Sequence, residues 1–175
     1  VVTDKGFVRF ENCLFSNNRA FNGGALINSA SNNLNTIINC HFKNNVATNI
    51  GGAILNYNTE TSIINCLFEK NYADYHGSAI SVRGKKSNIL NCTFADNDGP
   101  SGGGVIDFSH WGIVSEAENC ILWDNSTEDI IVVGGTLRVY NSCVEQTGYA
   151  GSNDNISEDP LFRTAGSDYR LQNES

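Results

Sequence analysis

One four-residue motif recurs along the chain at a nearly constant interval. Asparagine, cysteine, a variable residue and phenylalanine stand together in four copies, and a fifth copy ends in leucine: 12–15, 39–42, 65–68, 91–94 and 119–122. The cysteines of successive copies are 27, 26, 26 and 28 residues apart (40 − 13, 66 − 40, 92 − 66, 120 − 92). Such a period is typical of a solenoid, in which each repeat packs only against its neighbours.

A single repeat contains three short apolar segments separated by Gly, Ser and Asn, such as 51–56, 61–68 and 71–73. Each segment is too short for a helix but has the length of a strand. A leucine-rich repeat has a similar period, but it needs an LxxLxL run, whereas these repeats carry GGAI and IINC. The sequence therefore predicts an all-β fold, a right-handed parallel β-helix of about six rungs with three strands per rung and a repeat of about 26 residues.

Overlaying the repeats aligns like residues in columns. We expect the apolar columns to form the core because each rung contacts only its neighbours. They are Leu26, Ile54, Ile80 and Ile106; Phe10, Ile37, Ile63 and Ile89; and Phe15, Phe42, Phe68, Phe94 and Leu122.

Asparagine forms two further columns, to which we assign structural roles. Asn tolerates the left-handed conformation of a sharp corner, and stacked amides can hydrogen-bond from rung to rung. The columns are Asn12, Asn39, Asn65, Asn91 and Asn119, and Asn18, Asn45, Asn71, Asn97 and Asn125.

The six cysteines are assigned to one phase of the repeat, with Cys13, Cys40, Cys66, Cys92 and Cys120 as structural residues. Stacked rungs place successive thiols about 4.8 Å apart, but their parallel Cα–Cβ bonds suit a disulfide poorly. Buried free thiols are therefore favoured over disulfides, and metal binding is the weakest alternative because no CxxC pair or suitably spaced histidine accompanies them.

Composition narrows the classes of partner. The 175 residues carry a net charge of −8, which disfavours nucleic acid, and no stretch of about 18 apolar residues could span a membrane. We expect one domain over 1–175, with rungs over 1–147 and a capping segment over 148–175. We expect the start of the chain to be an internal position of a longer protein. The first rung shows no cap in the sequence, so end-to-end self-association is an alternative role.

Two irregular segments are candidate sites. Asp96 and Asp98 lie in a turn that offers carboxylates to calcium, but their spacing does not match a calcium loop, so an ordinary turn without a cofactor is favoured. The three histidines, His41, His76 and His110, fall in different phases of the repeat, and no shared metal is expected.

The segment 107–112 replaces a polar loop with bulky residues and indicates a surface groove. Strand alternation predicts that Tyr57, Arg83, Asp107, His110 and Trp111 line it, and aromatic faces with a few charges suit a sugar chain. If the groove is catalytic, Asp107 and Arg83 are the candidate residues. Glycoside hydrolysis needs two carboxylates, however, and only one is offered here.

The same alternation predicts an exposed apolar strip formed by Ala25, Ile27, Ala53 and Leu55, either covered by a loop of a longer chain or used as a contact surface.

The pairing of GGA[IL] with FxxN, as in 23–26 with 15–18 and 51–54 with 42–45, resembles the repeats of polymorphic outer-membrane proteins and of related secreted β-helix proteins of the pectin-lyase-like superfamily. The resemblance covers about residues 7–171 and implies an extracellular or cell-surface protein of a bacterium. We expect a structural or adhesive module that contacts a glycan or protein partner or serves as a stalk. The alternatives are a polysaccharide lyase or hydrolase, a non-catalytic carbohydrate-binding module and a filament subunit.

Overall fold

A computed structural model of the chain describes residues 1–4, 6–29, 34–109, 112–164 and 166–172. The chain winds through about five turns, and strands from successive turns pair in parallel to form three six-stranded sheets. The predicted parallel β-helix is therefore confirmed. Among the described residues no helix has the length and apolarity needed to cross a membrane.

Each main sheet takes one strand from every rung. Sheet A contains, in spatial order, β1 (Val2–Asp4), β5 (Leu26–Ser29), β9 (Ile54–Tyr57), β13 (Ile80–Arg83), β16 (Ile106–Ser109) and β19 (Ile130–Val133). Sheet B contains β2 (Arg9–Glu11), β6 (Leu34–Ile38), β10 (Glu60–Ile64), β14 (Ser87–Leu90), β17 (Val114–Glu118) and β20 (Thr136–Tyr140). Sheet C contains β3 (Leu14–Ser16), β7 (His41–Lys43), β11 (Leu67–Glu69), β15 (Thr93–Ala95), β18 (Ile121–Trp123) and β21 (Cys143–Val144).

The first three rungs carry four strands, not the predicted three, because segments such as 61–68 divide at an asparagine corner into two strands, here β10 and β11. The fourth strand of each of these rungs has only two residues. These two-residue strands form a short parallel sheet: β4 (Arg19–Ala20), β8 (Val46–Ala47) and β12 (Tyr72–Ala73). They follow the asparagine corner after sheet C, and β12 lies within the predicted segment 71–73. Near the C-terminus, β22 (Phe162–Thr164) and β23 (Asp168–Leu171) form an antiparallel hairpin, called the C-terminal hairpin below.

The core consists of the predicted apolar columns in register. Ile54 pairs with Ile80 in sheet A, and Ile63 pairs with Ile89 in sheet B. In sheet C the four phenylalanine rings stack almost parallel, with centroids 4.7, 4.8 and 4.7 Å apart along Phe15, Phe42, Phe68 and Phe94. This separation matches the spacing of paired strands, so the stack follows from the register.

The two asparagine columns have different roles. The residues before the cysteines turn the corner between sheets B and C in the left-handed conformation, with φ between 49° and 54° at Asn12, Asn39, Asn65, Asn91, Asn119 and Asn141. Their side chains are exposed, and Asn65 and Asn91 each donate to the Oδ1 of the asparagine one rung earlier. In the second column the left-handed residue is the one before the asparagine, such as Asn44 or Lys70.

The second column forms a row of amides that is buried in its middle rungs. Nδ2 of Asn45 donates to Oδ1 of Asn71 at 3.0 Å, and Nδ2 of Asn71 donates to Oδ1 of Asn97 at 3.0 Å. Each of these oxygens also accepts from the backbone N–H of the preceding asparagine in the row. Because a buried polar group is costly unless it is paired, the row fixes both the corner and the rung spacing.

Five of the six cysteines occupy the same position in the repeat, whereas the sequence assigned all six to it. Each of the six is a free thiol, and Cys40, Cys66, Cys92 and Cys120 are buried one above another with Cys13 half-buried at the first rung. Cys143 instead pairs with Ile121, one position further along the strand, and Ser142 takes the place in the thiol column. Burial raises the pKa of the Cys40 and Cys120 thiols to about 11, which suits core residues rather than nucleophiles.

The predicted exposed apolar strip is wrong for three of its four residues, and the fourth, Ile27, is half-buried. Ala25 and Ala53 belong to the hydrophobic core, and Leu55 is also buried. Backbone N–H groups of both Ala25 and Leu26 donate to the Ala53 carbonyl, so the alternation of inward and outward side chains breaks there.

The segment expected to cap the solenoid divides into two parts. Tyr149 packs against the core, and Ile156 pairs with Cys143, so the first part closes the last rung. The second part turns back, and its hairpin lies against the outer face of sheet C near Lys70 and Asp96.

Candidate functional site

The groove predicted on sheet A holds a compensated ion pair. Nη2 of Arg83 lies 2.6 Å from Oδ2 of Asp107, whose side chain is 1% exposed. The Ser81 hydroxyl donates to the same oxygen at 3.2 Å, and the Ser109 hydroxyl donates to Oδ1 at 2.7 Å. Tyr57 pairs with Arg83 in register and is exposed. The remaining predicted groove residues, His110 and Trp111, lie outside the described residues.

These contacts fix what Asp107 can do. Both carboxylate oxygens accept hydrogen bonds from neighbouring side chains, and the carboxylate is nearly inaccessible to solvent. An ionised carboxylate in this setting stabilises the outer column of sheet A and has its charge compensated by the guanidinium. The pair proposed for catalysis is thus brought together, but its two members engage each other.

The two calcium candidates have protein partners. Asp96 accepts a hydrogen bond from the Tyr169 hydroxyl, and Asp98 accepts one from the Ser126 hydroxyl. Within the described ranges, no group of three or more His, Cys, Asp and Glu side chains is placed to hold a metal ion.

A cleft of about 440 Å³ lies between the outer face of sheet C and the C-terminal hairpin. Its floor comes from three successive rungs, with His41 and Lys43 on β7, Leu67 and Glu69 on β11, and Thr93 on β15. The exposed corner asparagines Asn65 and Asn91 line one side, and the hairpin residues 167–170 form the facing wall. We call this the hairpin cleft. Its size falls within the range of about 300–1,000 Å³ that is common for ligand sites.

Glu69 is the charged centre of the hairpin cleft. Its carboxylate is 2% exposed, and its Oε1 lies 2.6 Å from Lys43 Nζ and 3.1 Å from His41 Nε2. Burial by itself would raise the pKa of Glu69, but the Lys43 ammonium, together with His41, holds it below its ordinary value. Because an ionised carboxylate only accepts hydrogen bonds, Nε2 of His41 carries the proton of that contact.

Polar contacts anchor the hairpin to the solenoid. The Tyr169 hydroxyl donates to Oδ2 of Asp96 at 2.5 Å, and Lys70 Nζ donates to the Gly166 carbonyl at 2.5 Å. Within the hairpin, Phe162 meets Tyr169 edge to face, with the ring centroids 5.4 Å apart. Burial and then the Asp96 carboxylate raise the pKa of Tyr169, so the phenol stays protonated and remains a donor.

Charges in the hairpin cleft are matched in pairs. The Lys43 ammonium compensates the charge of the Glu69 carboxylate. Arg170 makes a bidentate contact with Asp168, with Nε 2.8 Å from Oδ1 and Nη2 2.7 Å from Oδ2. The Thr93 hydroxyl has no hydrogen-bond partner within the described part of the chain, and the Asn91 amide uses its Nδ2 but not its Oδ1. The cleft therefore offers donors and acceptors of small net charge.

The hairpin cleft was missed at the sequence level. The sequence indicates no shared metal at His41 and assigns residues 159–171 to the capping segment. One signal was available: Lys43 and Glu69 are 26 residues apart (69 − 43), and the register places them on neighbouring strands. Opposite charges at such positions attract across a strand pair. The return of the hairpin onto sheet C had no periodic signal.

Together, the parallel sheets, the stacked columns and the asparagine corners define a β-solenoid. A family model described as the right handed beta helix region matches residues 1–152, and the chain belongs to this family. Comparison with curated proteins found no match, and comparison with solved structures found none.

Proposed function

We propose that this protein is a non-catalytic module of an extracellular or cell-surface protein, and that it binds a glycan chain through the hairpin cleft. The observation that carries the proposal is the cleft itself, whose floor of side chains is held by three paired strands. Side chains fixed on strands need little reordering on binding, which lowers the entropic cost of association.

The pairing of charges favours an uncharged polar ligand. Lys43 and Arg170 each lie within hydrogen-bond distance of a carboxylate, so neither contributes a strong free field. Sugar hydroxyls both donate and accept, as do the threonine hydroxyl and asparagine amides on the rim. Leu67 supplies an apolar surface between them.

The strand pairing favours a glycan over an extended peptide. Strands β7, β11 and β15 are each paired on both sides, so their backbone groups are already used. A peptide that binds by strand addition needs an open sheet edge, which the floor of the cleft does not offer. Recognition there depends on side chains.

The location rests on the resemblance of the GGA[IL] and FxxN motifs to repeats of polymorphic outer-membrane proteins. A solenoid of stacked sheets also suits a stalk that presents a binding site away from a surface. We favour binding over polysaccharide cleavage because Arg83 and Asp107, the pair considered for cleavage, compensate each other.

The test compares two substitutions of the same type in one column. Leu67→Arg places a long cation in the cleft, whereas Leu14→Arg places it two rungs away on the same outer column, where Leu14 is 64% exposed. Binding to an immobilised panel of neutral and acidic glycans is measured for both variants and the parent protein, with thermal unfolding as a check on folding.

We expect glycan binding to weaken at least tenfold in Leu67→Arg and to change less than twofold in Leu14→Arg. The proposal fails if the parent protein binds no glycan of the panel, or if both variants bind as the parent does. Binding confined to polyanions that is lost at moderate salt would contradict the neutral-ligand argument.

A further inference from the structure

The exposed corner column contains one asparagine with a distinct sequence context. Asn91 is followed by Cys92 and Thr93, which completes the Asn-x-Thr pattern that oligosaccharyltransferases modify. The four other members of the repeated motif, Asn12, Asn39, Asn65 and Asn119, have Leu, His, Leu and Ile two residues later.

The Asn-x-Thr pattern also occurs at Asn125, and the equivalent Asn-x-Ser pattern occurs at Asn155, but the amides at these described positions are used inside the fold. Asn125 donates from Nδ2 to the Phe94 carbonyl at 3.1 Å and to Asp129 Oδ1 at 3.0 Å. Asn155 is 4% exposed and donates from Nδ2 to the Val139 carbonyl at 3.0 Å. A sugar on either nitrogen would remove a buried hydrogen bond or find no space.

The side chain of Asn91 is accessible in the folded chain, and its amide nitrogen has a hydrogen that the described part of the fold does not use. Its side chain is exposed, and Nδ2 makes one hydrogen bond, 3.1 Å to Asn65 Oδ1, among the described residues. Because the amide has two hydrogens, replacement of one by a sugar leaves the other for Asn65.

We infer that Asn91 is an acceptor site for an N-linked glycan in a secretory pathway that contains an oligosaccharyltransferase. In that step, Nδ2 forms a bond to the anomeric carbon of a lipid-diphosphate oligosaccharide. The bond between that carbon and the diphosphate oxygen breaks, the lipid diphosphate leaves with the electron pair, and the amide loses one proton. The attached glycan stands at the rim of the hairpin cleft, since Asn91 lines it.

The experiment secretes the chain from a eukaryotic host and compares its intact mass before and after peptide-N-glycosidase, which leaves aspartate at each occupied position. Mass spectrometry of the peptides then locates the sites. Asn91→Gln and Thr93→Val each remove the pattern in a different way. Leu67→Thr adds it at Asn65, which has the same corner geometry one rung earlier.

We expect a glycan at Asn91 in the parent protein, loss of that glycan in both removal variants, and a new glycan at Asn65 in Leu67→Thr. A folded, secreted protein that is unmodified at Asn91 would overturn the inference. Modification of Asn125 or Asn155 in the folded product would also overturn it, because the amide nitrogens of both residues donate hydrogen bonds inside the fold.

Discussion

Nδ2 of Asn125 donates to Oδ1 of Asp129 across 3.0 Å and so ends the row of asparagine amides. Every amide in the row donates toward the C-terminal end, beginning with Asn18 and Asn45. A row of donors with one direction needs a terminal acceptor, and a carboxylate is a pure acceptor when ionised. The second oxygen of Asp129 accepts from the backbone N–H of Gln146 at 2.9 Å.

Asp129 should make stability depend on pH between about 4 and 6. Burial raises its pKa to about 6 from an ordinary value near 3.8. Between these values the folded protein keeps a proton that the unfolded chain has lost, so stability falls as pH rises through this range. The difference between the folded and ordinary pKa values corresponds to roughly 3 kcal/mol at most.

The measurement is urea unfolding of the parent protein and Asp129→Asn at pH 4, 5, 6 and 7. Because other carboxylates titrate equally in both proteins, the difference between their free energies of unfolding isolates Asp129. We expect the parent to lose stability relative to the variant as pH rises from 4 to 6. A difference that stays constant over the range contradicts the assignment.

The two asparagine columns should differ in their contribution to stability. Asn71→Ala removes an oxygen that accepts from Asn45 N and Nδ2, and a nitrogen that donates to Asn97 Oδ1 and the Phe42 carbonyl. Each buried group left unpaired costs about 1–3 kcal/mol, so we expect a loss of at least about 3 kcal/mol.

Asn65→Ala is the matched comparison on the exposed column. Its main cost is the left-handed backbone, where φ is 52°, and we expect about 1–2 kcal/mol. Urea unfolding measures both variants. Equal losses would mean that the buried row has no special role.

The thiols should remain reduced and mostly unreactive in the folded protein. Cys13 is half-buried at the first rung, whereas the other five free cysteines are buried. We expect a disulfide-exchange reagent to modify one thiol rapidly in native buffer and all six after unfolding. Cys13→Ser should abolish the rapid phase. Fast modification of several thiols in the native protein would contradict the packing of the column.

Periodicity explains why the fold could be predicted and the hairpin cleft could not. The same strand and corner residues recur in each rung, so the place of Phe68 in the core follows from those of Phe42 and Phe94. The deviations carry no such information: Cys143 shifts by one position because Ser142 enters the thiol column. Likewise, the contact between Tyr169 and Asp96 joins residues 73 positions apart that belong to different kinds of structure.

Tyr169 should control whether the C-terminal hairpin stays on sheet C. Tyr169→Phe keeps the edge-to-face contact with Phe162 but removes the donor to Asp96. The loss of a hydrogen bond to a carboxylate costs about 1.5–3 kcal/mol, which is a tenfold or larger increase in local opening.

Tyr57→Phe is the control, since Tyr57 is 52% exposed on sheet A. Limited trypsin cleavage at Arg163 and Arg170 reports the opening of the hairpin. We expect cleavage to accelerate about tenfold in Tyr169→Phe and to stay unchanged in Tyr57→Phe. The melting temperature of the solenoid should stay near that of the parent protein. Unchanged cleavage would show that the Asp96 contact does not hold the hairpin, and a large fall in melting temperature would show that the hairpin belongs to the cooperative core.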